Sequence, residues 1–270
     1  VRDDNFASLT RYAMLIAIAI LNRNPGIHSM RTSRIYIEEE NLQVNSKVSL
    51  NSEKSHYLSR VLRCKLEQEL IVFNGLSNYE YQAKIISITK QSVTLHIYAE
   101  NEISKESSLN THIGQAISKG EKLDLVIQKV SELGATELTP LITERSESKK
   151  SNLDKKLEHW QRIAISAAEQ CGRTKILKIN PILKLEEWLK IPNDFKLTLD
   201  PMSNLKLKDI KVDTKNFSLL IGPEGGLSES EINLAQKNDF TSISLGPRIM
   251  RTETAPIVIV SIIQSKWGDI

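Results

Sequence analysis

Phe217-Ser-Leu-Leu-Ile-Gly-Pro-Glu-Gly-Gly226 decides how this chain is read, because an almost wholly apolar run stops abruptly at a Gly-Pro pair followed by two more glycines. A short apolar run bounded by turn residues has the pattern of a strand buried on both faces. Ser228-Glu-Ser-Glu231 then forms a capping box that opens a helix to about Lys237. The rhythm repeats: Thr241 to Leu245 is strand-like, Gly246-Pro-Arg-Ile-Met-Arg-Thr252 is a second Gly-Pro loop, and a last helix runs from Thr252 to about Lys266. Upstream, Phe195-Lys-Leu-Thr-Leu199 ends at Asp200-Pro201. Strands alternating with helices imply an α/β domain with a parallel sheet covered on both faces, whose ligands bind beyond the carboxyl ends of the strands. Three such ends carry unusual loops here.

Further outward, Thr111 to Ile117 is strand-like, and Glu121 to Leu133 sets Leu123, Ile127, Val130 and Leu133 on one helical face, ended by Gly134. Asn152 can cap a helix in which Leu153, Leu157, Trp160, Ile163 and Ala167 recur at helical spacing up to Gly172. Trp160 and Trp188 are read as core. Before residue 100 the pattern changes to short strands, Val48 to Leu50, Glu69 to Phe73, Tyr79 to Ile86 and Ser92 to Tyr98, interrupted by one helix from Ser52 to Leu62. Close-spaced short strands suggest a small β-barrel. The expected organisation is an extension over residues 1–29, a barrel over 30–100, a linker rich in Ser, Glu and Asn over 101–110, and the α/β domain over 111–270. The apolar segment Tyr12 to Leu21 is too short to span a bilayer and lacks a clean cleavage site, so residues 1–29 are read as an extension ahead of Met30 and not as a secretion signal.

Composition narrows the class. At 270 residues, 40% hydrophobic and 26% charged, the chain is expected to fold as two domains and not as a disordered or membrane protein. A net charge of +3 says little about nucleic acid, so local clusters must carry that argument. Cys64 and Cys171 are read as small buried hydrophobes of a reduced, cytoplasmic protein, and no metal motif of the C-x-x-C or H-E-x-x-H kind occurs. There is no G-x-G-x-x-G after a strand and no P-loop, which removes dinucleotide and nucleoside-triphosphate folds.

Four stretches carry a resemblance. Lys119-Gly-Glu-Lys-Leu-Asp-Leu-Val-Ile-Gln-Lys-Val-Ser-Glu-Leu-Gly134, Ala168-Glu-Gln-Cys-Gly-Arg173, Ile221 to Gly226 and Leu245 to Ala255 resemble, in order and spacing, the signatures of the ribosomal small-subunit (16S) RNA uracil-N3 methyltransferases of the SPOUT superfamily. The likeness extends from about Met30 to the C-terminus, with Met250 standing where Leu is equally expected.

The resemblance implies a PUA-type barrel followed by an α/β domain whose segment from about Phe217 threads a loop to make a trefoil knot, an exception to the rule against threading. It implies S-adenosylmethionine as cofactor. The adenine would lie against backbone groups around Leu245, Gly246, Met250 and Thr252, and the other end near Leu199, Gly222 and Gly225, with Asp200, Ile221 and Gly226 in the same loops. It also implies a homodimer acting on 16S ribosomal RNA or the small subunit, without metal or membrane. Gly225 and Gly226 are both expected to let the backbone take positive φ and approach a ligand.

Methylation at uracil N3 requires loss of the imide proton and stabilisation of negative charge on the uracil oxygens. Arg251 and Arg248 are the first candidates for the cation and Arg173 the next; Glu224 is a candidate base or orienter, or a turn residue with no chemical role. For RNA, Arg31, Arg34, Arg60 and Arg63 form a candidate phosphate surface with His56 and Tyr57 for stacking, and Arg173 is also considered. Lys149, Lys150, Lys155 and Lys156 read as a solvated helix approach. The alternatives are a SPOUT methyltransferase with another RNA target and a non-catalytic RNA-binding or assembly factor.

Overall fold

A computed structural model describes residues 32–146 and 153–270, and residues 34–270 form one compact unit. Its first part is a curled sheet of β1 (Ser33–Tyr36), β2 (Lys47–Ser49), β3 (Glu69–Phe73), β4 (Tyr79–Ile88) and β5 (Val93–Glu102), in the order β1-β3-β4-β5-β2. The pairs β3–β4, β4–β5 and β2–β5 are antiparallel. Alternate residues Leu70 and Val72, Ala83 and Ile85, and Val93, Leu95 and Ile97 share one buried core, as the period of two requires. Register shifts at Gln82/Ala83 and Ile85/Ser87 are bulges, which bend a strand and increase its twist. Helix α1 (Ser52–His56) is capped by Asn51, whose side chain accepts from Lys54 N at 2.9 Å, and continues as a π-helical turn, Tyr57–Val61. It buries Leu58 and leaves His56, Tyr57, Arg60 and Val61 exposed.

The second part is built on parallel strands: β6 (Asn110–Ala116), β7 (Glu137–Ile142), β8 (Lys178–Ile179), β9 (Leu183–Lys184), β10 (Phe195–Leu199), β11 (Asn216–Ile221) and β12 (Thr241–Ile243). Their order is β12-β10-β11-β6-β7-β8, with β9 also on β7, and every pair is parallel. Helices α2 (Lys122–Glu132), α3 (Leu153–Cys171) and α6 (Thr254–Trp267) cover one face, packing on Ile113, Leu138, Phe217, Leu219 and Ile221. On the other face α4 (Leu185–Trp188) and α5 (Glu229–Lys237) pack on Leu141 and Leu220. Phe217, Leu219 and Ile221 face one way and Leu220 the other, which explains why this strand reads as a continuous apolar run.

The local signals behave as their chemistry implies. Gly134, at φ +82°, follows α2, and Ser228 and Glu231 form the reciprocal cap of α5. Trp160 and Trp188 are buried. Cys64 is buried too, whereas Cys171 is only half-buried. Asn152, Lys149 and Lys150 lie outside the described residues.

Strand β7 is not anticipated, because Pro140 sits inside it. Its position resolves the conflict. Asn180 N donates to Leu138 O on the outer side and Ile117 N donates to Leu141 O on the inner side, so by alternation the Pro140 nitrogen faces outward. There it falls between the residues paired by β8 and those paired by β9, where no ladder bond is lost.

The two parts are joined by buried charge. Arg34 donates to Glu80 Oε2 at 3.3 Å and to the carbonyl of Ala168 at 2.8 Å, and its guanidinium lies 4.0 Å from the Phe73 ring centre. Tyr36 N and Lys54 Nζ both donate to Glu169 on α3. Arg173 is 4% exposed and donates to Glu106 and to the carbonyls of Ser131 and Ala135.

Candidate functional site

The carboxyl ends of β10, β11 and β12 release three loops that surround a cleft of about 690 Å³. Every residue expected there lines it: Leu199, Asp200, Ile221, Gly222, Gly225, Gly226, Leu245, Gly246, Met250 and Thr252, together with Glu224, Arg248 and Arg251. Leu199, Ile221, Leu245 and Met250 supply an apolar surface, and the Gly-Pro turns place bare backbone beside it. The backbone N–H groups of Gly246, Met250 and Thr252 donate to no protein acceptor among the described residues. An apolar slot with free backbone donors suits a flat, neutral, hydrogen-bonding ligand.

Gly226 and Gly246 have φ of +68° and +124°, and a Cβ at either would meet nothing within 4 Å, so the requirement for glycine is conformational. Gly225 departs from the expectation. It is absent from the positive-φ glycines, and a Cβ there would come 3.3 Å from Arg145 Cδ. Arg145 Nη1 donates to the Gly225 carbonyl at 2.8 Å, so what Gly225 permits is close approach of this arginine. Arg145 has no motif signal in sequence.

The charged residues separate by environment. Arg248 and Arg251 are exposed, the Arg251 side chain 82% so, with Glu253 Oε1 at the limit of an ion pair, 4.0 Å away. Both retain donors for an anionic partner. Glu224 accepts from Lys122 Nζ at 2.7 Å and from Lys119 N at 3.1 Å. Partial burial alone would raise its pKa, but these bonds and a backbone N–H hold the carboxyl below the usual range. That makes it a weak base and favours an orienting role, tying the start of α2 to the Gly225 loop. Lys122 also lines the cleft, inside the stretch recognised only as a helix signature.

The residues expected to meet RNA do not gather at one place. Arg60 and Arg63 are exposed beside His56 and Tyr57, and Arg63 holds a left-handed backbone at φ +52°. Arg34 and Arg173 correct the expectation: both guanidinium groups are buried and bonded to carboxylates and carbonyls within the chain, so their charge holds structure and presents no phosphate surface. Nor does Arg173 line the cleft as a catalytic cation. Arg31 lies outside the described residues. Among the described residues no His, Cys, Asp and Glu cluster is arranged to hold a metal, and no helix is long and apolar enough to cross a membrane.

A second cleft, of about 570 Å³, lies at the amino ends of β6, β7, β10 and β11 and is lined by His112, Glu137, Thr139, Asn180 and Asp194 among others. Trp188 Nε1 donates to His112 Nε2 at 3.1 Å, and that nitrogen also bonds Thr139 Oγ1 at 2.7 Å. An indole N–H only donates, so Nε2 must be an acceptor and the ring neutral. Asn180 Nδ2 donates to Glu137 Oε2 at 2.9 Å and to Thr139 Oγ1 at 3.1 Å. Asp194 accepts from Thr214 and Asn216.

Two family models match the chain. The RNA methyltransferase domain family model matches residues 105–264, and that of the RNA methyltransferase PUA domain matches residues 50–98. A ribosomal RNA small subunit methyltransferase E from Buchnera aphidicola is 38% identical over 248 residues, 90% of this chain and 97% of its own. One from Bacillus subtilis is 31% identical over 246 residues, 85% and 95% of the two chains. Among solved structures, a Neisseria gonorrhoeae ribosomal RNA small subunit methyltransferase E bound to S-adenosyl methionine superposes with a TM-score of 0.83 at 34% identity, covering 88% of this chain and 99% of that one. A Legionella pneumophila methyltransferase in complex with the same cofactor gives 0.85 at 39%, covering 89% and 100%.

Proposed function

This chain belongs to the RNA methyltransferase family that includes the ribosomal RNA small subunit methyltransferases E, and from that premise we propose that it methylates N3 of a uridine in 16S ribosomal RNA, in the cytoplasm, using S-adenosylmethionine. The observation that carries this reading is the carboxyl-end cleft, where the ten expected cofactor residues surround one apolar slot edged by unbonded backbone amides. Bound there, S-adenosylmethionine supplies an electrophilic methyl group. Leu245, Gly246, Met250 and Thr252 hold the adenine through backbone groups, and Leu199, Asp200, Ile221, Gly222, Gly225 and Gly226 enclose the remainder.

Arg251 and Arg248 supply positive charge for the uracil oxygens once the N3 proton has passed to water at the mouth of the cleft, a form of electrostatic stabilisation. Glu224 orients through Lys122. No cysteine need attack the ring, because a deprotonated imide nitrogen is already a nucleophile. The barrel residues Arg60 and Arg63 meet phosphate and Tyr57 stacks. A second copy of the chain covers the mouth of the cleft, and the segment from Phe217 onward forms the trefoil knot that the resemblance implies. Met202 and Ile249, 86% and 84% exposed at that mouth, support the dimer.

Small subunits lacking the modification, incubated with the protein and S-adenosylmethionine, digested and analysed by mass, test the assignment. 3-Methyluridine in 16S RNA is the expected product. A methylated base of another kind, or methylation of another RNA alone, overturns the acceptor assignment.

A further inference from the structure

Resting on the reading of the carboxyl-end cleft as the S-adenosylmethionine site, we infer that Gln115 is a positioning residue for that site, acting through Thr252. Gln115 lies near the end of β6, its Cα paired with Ile221, the last residue of β11. It is buried and does not itself line the cleft. Its Nε2 donates to Thr252 Oγ1 at 3.0 Å and to the Ala116 carbonyl at 3.2 Å. Thr252 Oγ1 donates in turn to the Gly222 carbonyl at 2.7 Å.

The direction of this relay is fixed. A carbonyl only accepts, so Ala116 requires the amide to present its NH2 group. Thr252, receiving one proton from Gln115, turns its own toward Gly222. One buried side chain therefore sets the polarity of a hydroxyl and fastens the loop after β12 to the loop after β11. These are the loops whose backbone groups must stand in register around a cofactor. Gln115 Oε1 is buried without a donor among the described residues, a cost an apolar side chain would avoid. The NH2 is the part of the group that works.

The test is a double-mutant cycle on the full chain, read by calorimetric titration with S-adenosylmethionine and by steady-state methylation. Gln115→Met keeps the approximate volume and removes the donor. Thr252→Val removes the hydroxyl. Each is expected to weaken cofactor affinity about tenfold, the scale of one lost buried hydrogen bond, and to raise KM for S-adenosylmethionine by a similar factor while kcat changes less. The double variant should be no worse than the weaker single, because both remove the same relay. Gln115→Leu, which also removes the donor without adding charge, should match Gln115→Met and takes its place in the cycle if that variant does not fold.

Losses that multiply in the double variant, or a lowered kcat with unchanged KM, overturn the inference and leave the cofactor site standing. Failure of the unaltered chain to bind S-adenosylmethionine overturns both.

Discussion

The two ends of the parallel sheet offer clefts of similar size, about 690 Å³ at the carboxyl end and about 570 Å³ at the amino end, and they differ in what their polar groups are doing. At the amino end Trp188, His112, Thr139, Asn180 and Glu137 bond one another, and Asp194 is engaged by Thr214 and Asn216. At the carboxyl end the amides of Gly246, Met250 and Thr252 have no protein partner among the described residues, and Arg248 and Arg251 are exposed. Volume does not make a site. Unused hydrogen-bonding capacity, held on a frame that cannot collapse over it, does. The frame at the carboxyl end is two Gly-Pro turns and the brace from Gln115; at the amino end the same kinds of groups have been turned into structure.

The largest expected effect falls on the reaction. Arg251→Ala should lower kcat by about two to three powers of ten with the fold intact, if the arginine acts like one oxyanion-hole donor. Single-turnover methylation at saturating cofactor measures this, and a loss of under threefold would remove Arg251 from charge stabilisation. Next comes Gly226→Val. Its φ of +68° strains a β-branched residue by about 1 to 3 kcal/mol, so cofactor affinity should fall about 5- to 150-fold before the protein unfolds. Unaltered affinity would place the cofactor elsewhere.

The amino end should respond only in stability. Burial, the largest influence on His112, lowers its pKa, with Glu137 opposing and Lys178 assisting. Because the folded value lies below the unfolded value near 6.5, stability should be level above that pH. It should then fall as pH drops below about 6.5 towards the folded pKa, with a slope of up to about 1.4 kcal/mol per pH unit. Denaturant titrations from pH 7.5 to 5.5 should show this decline, and His112→Gln should flatten it while leaving cofactor affinity unchanged. A changed affinity would break the separation between the two ends. The smallest effect concerns the barrel: Arg60→Ala and Arg63→Ala should each reduce the salt dependence of RNA binding by about one unit of slope. Unchanged slopes in both would take α1 out of the RNA surface.

Much of this was legible locally. Phe195 to Leu199 and Glu69 to Phe73 coincide with observed strands because their apolar patterns and flanking turns agree. The cleft was legible because Gly-Pro loops at strand ends carry their conformational demand in their own residues. What was hidden depends on partners distant in sequence. Arg34 and Arg173 look like surface cations until Glu80 and Glu106 are placed beside them, 46 and 67 residues away. Gln115 meets Thr252 across 137 residues, and nothing in its neighbourhood announces it. β7 was masked by Pro140, whose missing N–H is harmless only because β8 and β9 leave a gap there. Gly225 looks like a position for positive φ, whereas its role is to admit Arg145.

Amide hydrogen exchange with and without S-adenosylmethionine tests the contrast between the two ends most directly, because it reads both in one sample. Cofactor-dependent protection is expected in residues 222–226 and 245–252, with no change in residues 110–112, 137–139 and 193–194. Protection at the amino-end residues with none at the two glycine loops would contradict that contrast.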